Sequence, residues 1–186
     1  MPSLADIGKT GTYVSNGQRS LLRDFAPKTN PQTSIDSWFQ GSKITDEEGN
    51  PQIMYHGTLS NFDEFKPANY RKAIFFSPSK EFAKQSAGGE WAPYSKVTPI
   101  VKQVHINAKN PFDFENKQHL AQLEEYLHPS IWDDENEKIA KGNWKSIEDE
   151  SVQDAIKRAG FDSFYVKERG VKNLGIYDPN QVRVIG

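Results

Sequence analysis

The chain has 186 residues, 35% of them hydrophobic and 26% charged, with 23 basic and 25 acidic side chains and no cysteine. This length predicts one domain with at most an appendage, and the net charge of −2 disfavours general binding to nucleic acids. The lack of cysteine excludes disulfides, thiolate nucleophiles and cysteine-based metal sites. No apolar run approaches the ~20 residues that cross a bilayer, so no membrane partner is expected.

Residues 1–33 are rich in Ser, Gly, Thr, Pro and Asn, and their apolar residues follow no sustained period. Such a composition is typical of a disordered leader or linker. It lacks the compact apolar centre of a secretory signal peptide. Two interpretations stay open: a leader for a specialised secretion apparatus or a linker cut from a polyprotein, and an ordinary frayed terminus. The folded domain is predicted to span residues 34–186.

The first half of this domain alternates short apolar runs with turn residues. A long strand is expected near its end, with Val101, Val104 and Ile106 available to the core. The elements predicted from these patterns are a helix over residues 35–39, strands over 52–55, 73–77 and 98–107, and a helix over 81–85.

The second half opens with an acidic stretch. Residues 113–150 carry eleven acidic and four basic side chains, and the spacing of their apolar residues predicts a helical insertion. A further helix over residues 148–159 is expected to stop at Gly160. Strands over 161–166, 174–177 and 182–185 complete the domain, with a polar loop over 167–173.

The tripeptide His56-Gly57-Thr58 follows the first predicted strand. A histidine at a strand end is most often an ordinary hydrogen-bonded residue. A glycine there, however, lets a flat ligand approach the backbone N–H and C=O, and these two groups match a carboxamide. Phe75 offers a ring for stacking on a heterocycle, although core packing explains it equally well. We therefore expect Gly57→Val to abolish binding of such a ligand and, if φ of Gly57 is negative, to leave the fold largely intact.

Eight short pieces of the sequence carry a further signal in their order and spacing. The pieces are Trp38-Phe39-x-Gly-Ser-Lys43, Asp46-x-x-Gly49-x-Pro51, Tyr55-His56-Gly57-Thr58, Phe62-x-x-Phe65, Ile74-Phe75-Phe76-Ser77, Asn110-Pro111, Gly160-Phe161-Asp162 and Tyr177-Asp178-Pro179-x-Gln181-Val182. Together they resemble ADP-ribosyltransferases of the diphtheria-toxin and poly(ADP-ribose) polymerase type. The resemblance is closest to the small domains of phage polyvalent proteins and bacterial toxins or effectors. It implies an α+β fold with two packed antiparallel sheets and peripheral helices around an NAD cleft.

The resemblance also implies roles for individual residues. Gly57 would pair its backbone with the nicotinamide carboxamide, His56 would hydrogen-bond the adenosine ribose, and Thr58 would steady the turn. Phe75 would stack on nicotinamide in place of the family's tyrosine. Phe76, Ser77 and Tyr70 are assigned to NAD binding with them. The place of a second stacking tyrosine falls near Ser86, for which Tyr70, Trp91 and Tyr94 are the possible substitutes.

The third motif departs from the family's pattern. Alignment of Ile176-Tyr177-Asp178 with the family's last core strand puts Asn173 where its relatives have a catalytic glutamate. That acid holds a ribose hydroxyl and offsets the positive charge that develops as nicotinamide leaves, and an amide can do only the first. Glu168 is the nearest acid that could compensate. Its alternative interpretation is a solvated loop glutamate.

The function implied by the resemblance is mono-ADP-ribosyl transfer from NAD, the co-substrate, to a side chain of an acceptor protein. His56, Glu168 and Asn173 are its predicted catalytic residues. The protein would act as a bacterial effector or toxin, or as a phage protein, in the cytoplasm or after secretion into a target cell. Two alternatives stay open: a catalytically silent NAD-binding or assembly module, and an NAD glycohydrolase. The four histidines are too widely spaced to predict a metal site, and the oligomeric state is left open.

Overall fold

The computed structural model describes residues 37–66, 73–87 and 97–185. From Trp38 onward these residues belong to one compact unit, Trp38–Gly186. The predictions made for residues 1–33, for Tyr70 and for the alternative stacking residues Trp91 and Tyr94 lie outside the described residues. Within the described ranges, no helix is long and apolar enough to cross a membrane.

In the part of the chain that the structure describes, seven strands form two sheets. The first sheet has the order β1-β3-β7 and is antiparallel throughout; its strands are β1 (Met54–Thr58), β3 (Ile100–Ile106) and β7 (Val182–Val184). The second has the order β2-β6-β5-β4, with β2 (Ile74–Phe76), β6 (Val171–Ile176), β5 (Ser163–Glu168) and β4 (Pro111–Phe112). The predicted α+β fold with two sheets is confirmed. It differs in one detail, since the short β4 pairs with β5 in parallel.

Within the described residues, five helices accompany the sheets, besides the helical residues 37–39. Their first turns are stabilised by polar caps: Ser79 accepts a hydrogen bond from the N–H of Phe82, and Asp149 accepts one from Ser151. The acidic stretch is helical as predicted. The helices are α1 (Lys80–Ser86), α2 (Lys117–Glu124), α3 (Pro129–Ala140), α4 (Trp144–Ile147) and α5 (Glu150–Arg158), and a 3-10 turn covers Pro179–Gln181.

The core consists of two layers that share the second sheet. One layer lies between the sheets and joins Met54 and Val104 to Phe76 and Leu174. The other lies between the second sheet and helices α2 to α5 and is centred on Phe164. Val104 and Ile106 are fully buried, as predicted, but Val101 is only half-buried. An odd spacing from residue 104 puts it on the opposite face of β3.

The predicted loop over residues 167–173 is wrong. Strand β5 continues to Glu168 and β6 begins at Val171, so the connection is only Arg169 and Gly170, with φ of 48° and 81°. Two consecutive positive φ values are typical of the tight turn that matches the twist of a hairpin. An Asn-Gly or Asp-Gly pair normally signals this turn in a sequence, and the arginine here hides it.

Candidate active site

The two sheets meet at one point and separate beyond it. Tyr55 donates its N–H to the carbonyl of Ser77 at 2.8 Å, and Ser77 returns a hydrogen bond to Tyr55 at 2.9 Å. Backbone groups of successive residues in a strand point in opposite directions. Gly57 therefore presents its N–H and C=O on the same side as Tyr55, away from β3. No described residue pairs with them, so within the described ranges this peptide edge is unpaired beside β2; it is called the open edge below.

The other side of Gly57 is in contact with α1. A Cβ atom built on this glycine would lie 1.7 Å from the carbonyl oxygen of Ala83 and 3.2 Å from the Cβ of Ala87. The φ of Gly57 is not positive, yet the expectation that the fold tolerates Gly57→Val is wrong. The glycine is required because the backbone of a helix packs directly on the strand. The same contact fixes α1 beside the open peptide edge.

His56 is held in one tautomer. Its Nδ1 lies 2.8 Å from the carbonyl oxygen of Phe75, and because a carbonyl only accepts, Nδ1 must carry the proton. Burial lowers the pKa of His56, the hydrogen bond to Phe75 opposes this effect, and the charge of Lys102 adds to the lowering. His56 is consequently neutral at pH 7, with Nε2 as a hydrogen-bond acceptor. The ring centroid lies within 6.0 Å of those of Phe62, Phe65 and Phe76.

Three of the predicted site residues support this arrangement from outside the gap. Thr58 forms a turn in which its Oγ1 donates to the carbonyl of Ser60 and accepts from the N–H of Ser60. Phe76 is 1% exposed and packs against His56, so its ring has no surface for a ligand. Ser77 is 3% exposed, and its Oγ accepts a hydrogen bond from Ser79 at the start of α1.

Phe75, Asn173 and Glu168 lie on one face of the second sheet. Phe75 pairs with Gly175, which is two residues from Asn173 on β6. Val166, the partner of Asn173, is likewise two residues from Glu168 on β5. Side chains two residues apart share a face, which places the three predicted residues together. The face opposite carries the core between the sheets.

The surroundings of these three residues differ. The ring of Phe75 has Phe164 at 5.7 Å on one side, in the space that Gly175 leaves for it. Asn173 is 3% exposed, and its Oδ1 is a buried acceptor without a hydrogen-bond partner among the described residues. The Glu168 side chain is 35% exposed. A buried oxygen that lacks a donor is costly, so the Oδ1 of Asn173 requires a donor that the described residues do not supply.

Arg169 connects the β5–β6 turn to α1. Its Nη2 donates to Ser86 Oγ at 3.1 Å and to Glu168 Oε1 at 3.3 Å, and its guanidinium lies 4.9 Å from the centre of the Phe82 ring. Ser86 stands near the place of a second stacking residue, and among the described residues the guanidinium of Arg169 reaches it. Sequence reasoning missed this contact of Arg169, for which a single sequence offers no direct signal.

A cavity of about 470 Å³ lies elsewhere in the molecule. It is at the opposite end of β6 from Asn173, next to Tyr177 and Gln181, and it contains none of the predicted NAD contacts. We place the candidate site at the open edge of Gly57 instead, because the unpaired peptide groups and the neutral histidine meet there.

The model of a protein family described as "ADP-Ribosyltransferase in polyvalent proteins" matches residues 46–186. No curated protein sequence matches the chain. Two solved structures are similar, each with a TM-score of 0.46: an anti-CRISPR protein at 14% identity, covering 72% of this chain and 94% of that one, and the M. tuberculosis MbcT–MbcA toxin–antitoxin complex at 16% identity, covering 73% and 82%.

The family match agrees with the resemblance carried by the sequence motifs, and it confirms that prediction. The domain is of the ADP-ribosyltransferase type, and NAD is its co-substrate. The chain belongs to the family of ADP-ribosyltransferases in polyvalent proteins.

Proposed function

We propose that the protein transfers a single ADP-ribose group from NAD to a side chain of an acceptor protein. The observation that carries this proposal is the open peptide edge of Gly57 next to a neutral His56. An N–H and a C=O on one strand edge match the two hydrogen-bonding groups of the nicotinamide carboxamide. Substrate binding at this edge would direct the rest of NAD over His56.

The residues around the edge then take separate roles. Nε2 of His56 accepts a hydrogen bond from a hydroxyl of the adenosine ribose, since Nδ1 is committed to Phe75. Phe75 stacks on the nicotinamide ring with the side that Phe164 leaves free. The unpartnered Oδ1 of Asn173 receives the 2′-hydroxyl of the other ribose. These contacts position the glycosidic bond but supply no negative charge.

Glu168 supplies that charge in our proposal. It lies diagonally across from Asn173 on the neighbouring strand, and such diagonal side chains are roughly 7–8 Å apart at their Cα or Cβ atoms. The long glutamate side chain can span part of this distance. One charge at about 4 Å and an effective dielectric constant of about 20 is worth ~4 kcal/mol. The exposure of Glu168 and its pairing with Arg169 reduce this value.

In the reaction, the bond between C1′ of the ribose and the nicotinamide nitrogen breaks, and its electron pair leaves with nicotinamide. A nucleophilic atom of the acceptor forms a bond to C1′ and loses its proton. The positive charge that builds on the ribose is opposed by Glu168. The acceptor protein and its residue are not specified by these contacts. We further propose a role as an effector, toxin or phage protein, in the cytoplasm or after secretion into a target cell, as the resemblance of the sequence motifs to such domains implies.

Incubation of the protein with labelled NAD and a cell lysate tests the proposal. We expect a labelled protein band, whose modified residue is identified by mass spectrometry, together with one nicotinamide released for each group transferred. Release of nicotinamide without a labelled acceptor would instead favour an NAD glycohydrolase. Tight NAD binding without release would favour a silent binding module. For the variant Glu168→Gln, the matched control is Lys167→Gln, which changes the exposed neighbouring residue.

A further inference from the structure

Arg169 has an unusual backbone conformation. Among the described residues it is the one non-glycine residue with a positive φ, 48°. The first position of this tight turn favours Asn, Asp or Gly, because a long side chain on a left-handed backbone is strained. Strain of this kind is retained where the surrounding contacts compensate for it, and such positions cluster at functional sites.

The contacts of its side chain lead to the candidate site. The guanidinium bonds Ser86 and covers Phe82, two residues of α1 that are four positions apart and so share a face of the helix. The neighbouring residues Ala83 and Ala87 are those that pack against Gly57. Successive helical residues are turned by about 100°, so Arg169 contacts the face of α1 next to the one that packs on Gly57.

We propose that Arg169 forms a wall of the nicotinamide subsite and promotes departure of the nicotinamide ring. This inference rests on the proposed transferase function and concerns a residue that the family's motifs do not include. The nicotinamide ring of NAD carries a positive charge, and the ring that leaves is neutral. A guanidinium near the ring raises the free energy of the charged form more than that of the neutral form, so it favours breaking the bond to C1′.

Glu168 and Arg169 act together in this arrangement. They are adjacent in sequence and opposite in charge, with 3.3 Å between Oε1 and Nη2. Glu168 lies on the sheet face of Asn173, whereas Arg169 extends to α1. As the bond breaks, positive charge moves from the ring to the ribose, that is, away from Arg169 and towards Glu168. The pair provides a field along this direction, since its charges are fixed before the reaction begins.

Steady-state kinetics of Arg169→Gln test the inference, with nicotinamide release as the readout. We expect kcat to fall by roughly 10- to 100-fold while KM for NAD stays the same or decreases, because a repulsive contact with the bound ring is lost. The fall in kcat caused by Arg169→Gln should be smaller for an NAD analogue whose leaving pyridine is less basic than nicotinamide, since that ring departs more easily. Arg169→Lys should keep part of the rate.

The matched control is Arg158→Gln. Arg158 is exposed on α5, and its guanidinium donates to the carbonyl of Tyr126, which is not a residue of the candidate site. It should turn over NAD at the wild-type rate. Melting temperatures of both variants separate a loss of folding from a loss of rate.

Two results would overturn the inference. One is a raised KM with unchanged kcat, which would make Arg169 a binding residue only. The other is an equal loss of kcat for NAD and for the analogue, which would mean that Arg169 merely fastens the hairpin to α1. If the wild-type protein itself releases no nicotinamide, the proposed transferase function fails. If the wild type is active and Arg169→Gln turns over NAD at the same rate, only the inference about Arg169 fails.

Discussion

At Asn173 an uncharged amide occupies a position that is almost completely buried. A carboxylate there would be desolvated, whereas Glu168 is 35% exposed and bonded to Arg169. In the proposed site, two tasks are therefore divided between two residues on one sheet face. The amide would offer a hydrogen-bond acceptor inside, and the carboxylate would offer a charge at the rim.

Glu168→Gln and Asn173→Ala should therefore have different consequences. Glu168→Gln keeps the shape and removes the charge, so kcat should fall by roughly two to three orders of magnitude while the Kd for NAD barely changes. Asn173→Ala should weaken NAD binding by ~1 kcal/mol, the value of a neutral hydrogen bond. Nicotinamide release and calorimetric titration of NAD measure the two effects. Full activity of Glu168→Gln together with a dead Asn173→Ala would contradict the division of tasks.

Among the elements, helix α1 depends most on a single residue of another element. Its carbonyl at Ala83 points at Gly57, and it approaches β1 more closely than any side chain would permit. The gap that holds the open peptide edge is bounded by this helix. Packing of α1 and the geometry of the site are therefore coupled through one glycine.

Gly57→Ala should destabilise the protein as well as impair NAD binding. The added methyl group overlaps the Ala83 carbonyl, and overpacking of this kind costs about 1–3 kcal/mol or more. For a chain of this size, 1 kcal/mol corresponds to roughly 2–4 °C in Tm, so Tm should fall by several degrees. Thermal unfolding measures the change, with Ser60→Ala at the exposed end of the same segment as the control. An unchanged Tm would show that α1 can move away from β1 at little cost.

The sequence predicted the elements with strong apolar patterns and missed those defined by pairing. The strands at Met54, Phe75 and Val104 and the helix that stops before Gly160 follow from periodicity and stop signals. Strand β1, however, runs on to Thr58, beyond its predicted end at Tyr55. The two-residue strand β4 has no period to detect. The hairpin was hidden because Lys167, Glu168 and Lys172 are polar residues on strand ends, where solvent is accessible.

The candidate site was predictable only in part for a similar reason. His56, Gly57 and Phe75 were identified from short motifs. The fixed tautomer of His56, the open edge of Gly57 and the bridge made by Arg169 depend on pairing between strands that are far apart in sequence. A single sequence contains no direct signal of these contacts. The role of Gly57 in packing α1 was missed for the same cause.

On the scale of the whole molecule, three histidines respond to pH in the same direction. Burial is the largest cause that lowers the pKa of His56, His105 and His119 from 6.5 in the folded protein. The unfolded chain consequently binds protons more readily than the folded one as the pH falls below 6.5. The stability that the three neutral histidines contribute is complete above pH 6.5 and is lost as the pH falls through their folded-state pKa values.

Tm should therefore decrease between pH 7.5 and pH 5.5, a range that lies above the titration of ordinary carboxyl groups. His56→Gln should flatten this decrease, since it removes the most buried of the three groups. Differential scanning calorimetry over this range provides the measurement. His128→Asn, at the exposed N-cap of α3, keeps a capping side chain and serves as the control. A steeper decrease in His56→Gln would reverse the sign of the argument.

The pairing of β2 with β6 also sets the order in which the proposed site is completed during synthesis. Ile74 pairs with Ile176 across about one hundred residues of sequence, and Glu168, Arg169 and Asn173 lie in the β5–β6 hairpin. A nascent chain on the ribosome holds Gly57 and Phe75 long before it holds these three residues. If the three act as proposed, a chain that has not yet reached the hairpin cannot cleave NAD in the cell that is producing it.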